Sequence, residues 1–177
     1  MQPEAIAYPV VSSRFADYLQ LTKPRLNLLV VFSTGVGYWL GVAGHVSPAV
    51  LFHTVVGTAL VAGGSGVFNQ LYEPDVDALM ARTRLRPLPD GRVTPWRAFV
   101  FGMVLCTIGL AQLAFGVNLL SAVVAYATLV SYVVWYTPMK RRSSLATVVG
   151  AIPGALPPVI GWAAATGTVS REAWVLF

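Results

Sequence analysis

Charged residues are scarce in this sequence and absent from most of it. Of 177 residues, 7 are acidic and 12 basic, 11% in all, against about a quarter in a soluble domain. No Asp, Glu, Lys or Arg occurs from Leu26 to Tyr72, from Ala98 to Met139 or from Ser143 to Ser170. A helix that crosses a bilayer needs ~20 mostly apolar residues. The three stretches therefore hold two spans, two spans and one span. Cysteine is nearly absent, and Cys106 alone excludes an internal disulfide. It is expected to be an apolar filler. The N-terminal residues carry Glu4, Arg14 and Asp17 and no apolar run of signal-peptide length, so no cleaved signal is expected. The net charge of +5 does not imply nucleic acid, because the bases fall in short segments between apolar stretches.

What is present is a set of apolar segments with punctuated ends. The spans are expected at about Leu26–Gly44, Pro48–Gln70, Ala98–Val117, Leu119–Tyr136 and Leu145–Thr166, with a sixth starting near Ala173. The fold class is all-α: a polytopic transmembrane bundle of five full spans and the start of a sixth. A span cut after its first turn leaves apolar surface and backbone groups unsatisfied, so a fragment of a longer protein is expected. Residues 1–25 form an N-terminal segment and 26–177 the membrane domain.

The bases divide unequally across the spans. Eleven of the twelve (Arg14, Lys23, Arg25, Arg82, Arg84, Arg86, Arg92, Arg97, Lys140, Arg141 and Arg142) fall on one side, and Arg171 on the other. By the positive-inside rule the N-terminus is cytoplasmic. Arg92, Arg97 and Arg142 are expected only to orient the chain, and Lys23 to snorkel to the interface. Gly57, Gly63, Gly64 and Gly66 crowd the second span, where small residues allow close helix approach. Pro153, Pro157 and Pro158 break the fifth, which is tolerated where the freed carbonyls face protein or a cavity.

Four of the seven acids, Glu73, Asp75, Asp77 and Asp90, lie in one segment after the second span. Asn69, Glu73 and Asp77 are spaced four apart and would share one stripe of a helix. Three oxygen-bearing side chains at the end of a span suit Mg²⁺ shared with substrate phosphates. Arginines just beyond suit phosphate oxygens. Pro74 disfavours helix at Glu73, so the stripe is expected to kink, and Asp75 could then also turn inward. The bland reading is a solvated loop with topogenic arginines. His45 and His53 invite a heme-ligand reading but sit far from this pole, where a packing or interface role is the simpler one.

Here a resemblance becomes specific. The run from Asn69 to Leu88, N-Q-x-x-E-x-x-x-D-x-x-M-x-R-T-x-x-R-P-L, resembles the first acidic motif of the UbiA superfamily of intramembrane prenyltransferases. Leu21-Thr-Lys23-Pro-Arg25, Tyr136-Thr-Pro-Met-Lys140-Arg141 and the segment Val149–Trp162 resemble the branch that farnesylates protoheme IX. The likeness runs from about Phe15 to Phe177.

The resemblance implies a fold of nine helices around a cavity with two facing acidic motifs, of which this sequence holds the first. It implies transfer of farnesyl from farnesyl diphosphate to a vinyl group of protoheme IX, giving heme O, with Mg²⁺ as cofactor. It also implies the cell inner membrane as location and a downstream heme A synthase as a partner, beside the lipid bilayer itself. Residue by residue it implies Asn69, Glu73 and Asp77 for the Mg²⁺–diphosphate site. Arg25, Arg82, Arg86, Lys140 and Tyr136 are implied as diphosphate contacts. Tyr132 is either a second lining residue or an interfacial aromatic. A prenyltransferase for another aromatic acceptor, an inactive fragment and half of a transporter are the alternatives. The transporter predicts polar residues spread through several spans.

Overall fold

The computed structural model describes residues 13–177. The first twelve positions of the expected N-terminal segment, Glu4 among them, lie outside the described residues. Helix α1, Arg14–Leu21, is capped by Ser13, whose hydroxyl accepts from the amide of Ala16. Lys23 follows with φ 52° and ends in Pro24, the first residue of α2 (Pro24–Gly41). A proline disfavours the right-handed helical conformation in the residue before it. Lys23 takes the left-handed one, and the chain turns sharply between α1 and α2.

The remaining helices begin on similar signals. Ser47 and Pro48 open α3, Pro48–Tyr72, and Pro74 opens the short α4, Pro74–Leu79. Thr94 and Pro95 open α5, Pro95–Gly116. Asn118 caps α6, Leu119–Val130, by accepting from the amide of Ser121 at 2.8 Å. A side-chain acceptor and a proline at the first helical position both serve amides that have no helical partner. The α6 rod continues as a π-helical turn over Ser131–Tyr136 and a last turn, α7, at Thr137–Met139. Helix α8, Ala146–Thr166, ends at Gly167 with φ 70°, and α9 covers Arg171–Leu176.

Among the described residues, four helices are long and apolar enough to cross a membrane: Pro48–Tyr72, Pro95–Gly116, Leu119–Met139 and Ala146–Thr166. The chain is a multi-pass membrane protein. Helix α2 stands at the first expected span and is less apolar than these four. It has 18 residues, and Arg25 and Asn27 in its first turn dilute its apolar content. It still belongs to the bundle, because it packs along α8 and α3. Its exposed Leu28, Phe32 and Trp39 lie on the outside, where lipid rather than water suits them.

Two helix crossings rest on glycine. Along α3 and α5, a Cβ on Gly109 would lie 2.7 Å from the Gly57 carbonyl oxygen. One on Gly64 would lie 2.8 Å from the Gly102 carbonyl oxygen. Cys106 fills the gap between these contacts and is buried. Along α2 and α8, a Cβ on Gly161 would lie 1.9 Å from the Thr34 carbonyl oxygen, and one on Gly37 2.0 Å from that of Pro158. In lipid the hydrophobic effect does not pull helices together, so backbone contact of this kind supplies the dispersion that does.

These contacts make a sharp distinction between glycines of α8. Gly161→Ala is expected to force α2 and α8 apart and cost about 1–3 kcal/mol, read as a lower thermal midpoint in detergent. Gly154 has no neighbour within 4 Å of a Cβ, so Gly154→Ala is expected to leave the midpoint unchanged or slightly raised.

Candidate functional site

Polar and charged side chains from several segments gather where α3 ends. Pro74 lacks an amide hydrogen and stops α3 at Tyr72. Glu73 bridges the helices with φ −124° and ψ 34°, and its carbonyl accepts from the Asp77 amide at 2.9 Å. The stripe is thus bent but kept. Asn69, Glu73 and Asp77 are 4%, 6% and 7% exposed, so all three oxygens sets face inward. Asp75 does not turn inward. It is exposed and pairs with Arg141 at 3.0 Å.

Each of the three buried groups meets a cation from a different part of the chain. The Lys23 ammonium donates to Asn69 Oδ1. Lys140 Nζ donates to Glu73 Oε2 at 3.0 Å, and Arg86 Nη1 to Asp77 Oδ2 at 2.6 Å. Burial pushes the Lys23 ammonium down from 10.5 to about 8. The like charges of Arg86 and Lys140 add to this, and Asp77 and Glu73 oppose it. Lys23 therefore stays mostly protonated at neutral pH while surrounded by other cations, a setting that favours a polyanion.

Further contacts aim these groups. Asn69 Nδ2 donates to Thr137 Oγ1 at 3.1 Å, and Thr137 Oγ1 donates to the Tyr132 carbonyl at 2.8 Å. The π-helical turn leaves that carbonyl in reach of the Thr137 hydroxyl. Thr83 Oγ1 donates to the Asp77 carbonyl at 2.8 Å and pins the loop that carries Arg86. Gln70 Nε2 donates to the Leu21 carbonyl at 2.8 Å and holds α1 beside α3, next to Lys23.

Below these pairs lies a cavity of about 760 Å³ between α2, α3, α6 and α8. Lys23, Lys140, Tyr132 and Tyr136 line its charged end, and Val61, Leu129 and Ile160 are among its apolar walls. Tyr132 and Tyr136 stack with ring centroids 5.4 Å apart. Pro153 and Pro157 also line it, so the proline-bearing part of α8, which stays helical throughout, faces the cavity. Two buried atoms on the wall, Asn27 Oδ1 and Thr58 Oγ1, have no hydrogen-bond partner among the described residues. The charged residues that line the cavity, Lys23 and Lys140, are both at one end.

The expected site residues separate into two groups. Asn69, Glu73, Asp77, Arg86, Lys140 and Tyr136 come together. Arg82 is exposed on the loop, and Arg25 is exposed in the first turn of α2. Lys23, and not Arg25, faces the buried stripe in this structure, and the cause is local. The left-handed turn before Pro24 points Lys23 at Asn69, and two helical steps swing Arg25 to the far side. The Lys23-Pro24 pair carried that signal. Thr137 had no readable signal, because its partner Asn69 is distant in sequence, and the Thr83 bond to the Asp77 carbonyl depends on how the intervening loop folds.

The donor set can be tested for a metal by its chemistry. An amide oxygen and two carboxylates are hard donors. Among the described residues, however, no three His, Cys, Asp or Glu side chains gather as a metal cage. The residues fit Mg²⁺ completed by phosphate oxygens and water rather than a cation held by protein alone.

Inorganic pyrophosphate with Mg²⁺ separates the two basic positions. Lys23→Ala is expected to weaken its binding about tenfold, the loss of one charge-assisted contact. Arg25→Ala is expected to leave it within twofold, by calorimetry on the protein in lipid nanodiscs.

The chain resembles known proteins over most of its length. It is 50% identical over 170 residues to a protoheme IX farnesyltransferase of Solibacter usitatus, covering 91% of this chain and 58% of that protein. It is 45% identical to the Trichodesmium erythraeum protein of the same name, covering 92% and 50%. The chain spans about half the length of the curated relatives it matches. Among solved structures, a digeranylgeranylglyceryl phosphate synthase superposes with TM-score 0.75 at 16% identity, covering 83% of this chain and 52% of that one. A UbiA homolog from Archaeoglobus fulgidus bound to GPP and Mg²⁺ superposes with TM-score 0.71 at 22% identity, covering 85% and 53%. These two share the fold. The model of the UbiA prenyltransferase family matches residues 30–177, and with relatives this similar the chain belongs to that family.

Proposed function

We propose that the chain carries the diphosphate-binding pole of a Mg²⁺-dependent farnesyltransferase that joins farnesyl to a vinyl group of protoheme IX, giving heme O. The observation behind this reading is the convergence of Lys23, Arg86 and Lys140 on Asn69, Glu73 and Asp77 at one end of an apolar cavity. Farnesyl diphosphate has the same division, a polyanionic head on an apolar tail. The names of the relatives support this prenyl donor and this acceptor.

The residues suggest how the reaction is helped. Lys23, Arg86 and Lys140 neutralise the diphosphate oxygens as the carbon–oxygen bond breaks and its electron pair leaves with the diphosphate. Asn69, Glu73 and Asp77 would hold Mg²⁺, which when bound would supply further neutralisation of the diphosphate charge. The vinyl π electrons attack the allylic cation, and water adds to the new cation with loss of a proton. Tyr136, with Tyr132 stacked on it, closes the wall beside Lys140. The apolar walls keep water from the first cation. The charged pole lies on the cytoplasmic side of the inner membrane, with the N-terminus, and heme O passes to a heme A synthase.

Asp77→Ala is expected to lower Mg²⁺-dependent heme O formation at least about a hundredfold, measured by chromatography of extracted hemes. Full activity in that variant removes Asp77 from the site and leaves the reading without its central carboxylate.

A further inference from the structure

Arg92 lies outside the cavity, and topology alone would explain its charge. Its contacts show more. Nε donates to Asp90 Oδ2 at 2.8 Å, Nη2 donates to the Leu85 carbonyl at 2.6 Å, and Nη1 pairs with Asp17 of α1. The Asp17 side chain is only 6% exposed. A carboxylate that deep requires a partner that does not move away.

Leu85 immediately precedes Arg86, so its carbonyl belongs to the peptide bond that carries the Arg86 amide. The Asp90 amide closes the same loop on the Arg86 carbonyl at 3.0 Å. Pro87, Leu88 and Val93 anchor the loop's apolar side, with Leu88 and Val93 in the cluster around Leu21 and Val67. One planar guanidinium thus links a buried carboxylate of α1 to the backbone beside Arg86. A lysine ammonium has no fork and cannot hold three directions with the same geometry.

We propose that Arg92 is a positioning residue for Arg86. It fixes the Leu85–Arg86 peptide against α1 and so holds the Arg86 guanidinium at Asp77, in place for a diphosphate. This rests on the diphosphate reading above. Lys23 is held separately, by the Gln70 bond to Leu21 and by Thr22 against Gly63 and Gly66. Arg92 therefore acts through Arg86 and not through Lys23.

The test titrates inorganic pyrophosphate with Mg²⁺ into the protein in lipid nanodiscs. Arg92→Met is expected to weaken binding about tenfold. The further loss shrinks to less than twofold in an Arg86→Ala background and persists in full in a Lys23→Ala background. A general loss of structure would weaken both backgrounds alike. Should Arg92→Met fail to fold, Arg92→Lys keeps the charge beside Asp17 and gives up the Leu85 bond, and the same three backgrounds are compared. Binding unchanged by either variant, or a loss of equal size in the Arg86→Ala background, overturns the inference alone. A parent protein that binds no pyrophosphate overturns the diphosphate reading and this inference with it.

Discussion

Buried oxygen atoms need partners, and in this protein the partners come from far along the chain. Asn69, Glu73 and Asp77 sit at the end of a membrane helix, where an unpaired carboxylate is costly. Lys23, Arg86 and Lys140 supply that pairing from the turn before α2, the loop after α4 and the end of α7. One polar cluster thus draws three separate segments to one pole. The cavity beneath it inherits a charged end and apolar walls.

The same demand explains the secondary contacts. An ion pair in a partly dry setting holds only when its remaining polar atoms are satisfied. Thr137 serves Asn69, Thr83 serves the Asp77 backbone, and Gln70 serves Leu21. The π-helical turn at Ser131–Tyr136 brings the Tyr132 carbonyl to Thr137. Away from the pole, glycine takes over. Gly57 with Gly109 and Gly161 with Thr34 bring backbones into contact. The bundle is therefore fastened by charged pairing at one pole, by close approach along its length, and at the other end by the Gln112–His53 and Asn118–Ala163 hydrogen bonds.

Much of the fold was legible in order and type. The charge-free stretches, the proline and cap signals and the one-sided bases mark helices that the structure places within a few residues. The departures have local causes. Helix α2 opens with Pro24, Arg25 and Asn27 and is less apolar than its neighbours. Pro74 bends the stripe without breaking it, and Asp75 pairs outward with Arg141.

The sequence by itself determined the helices, their number in the apolar stretches, and the three residues of the acidic stripe, because these depend on short-range periodicity and local backbone limits. Only the tertiary structure decided which base faces each acid. Lys23 rather than Arg25 turns inward because a left-handed turn before Pro24 aims it there. Arg92 became a link between α1 and the Arg86 loop because Asp17, far away in sequence, is buried beside it. Partner choice across distant segments is set by packing, and spacing along one chain does not encode it.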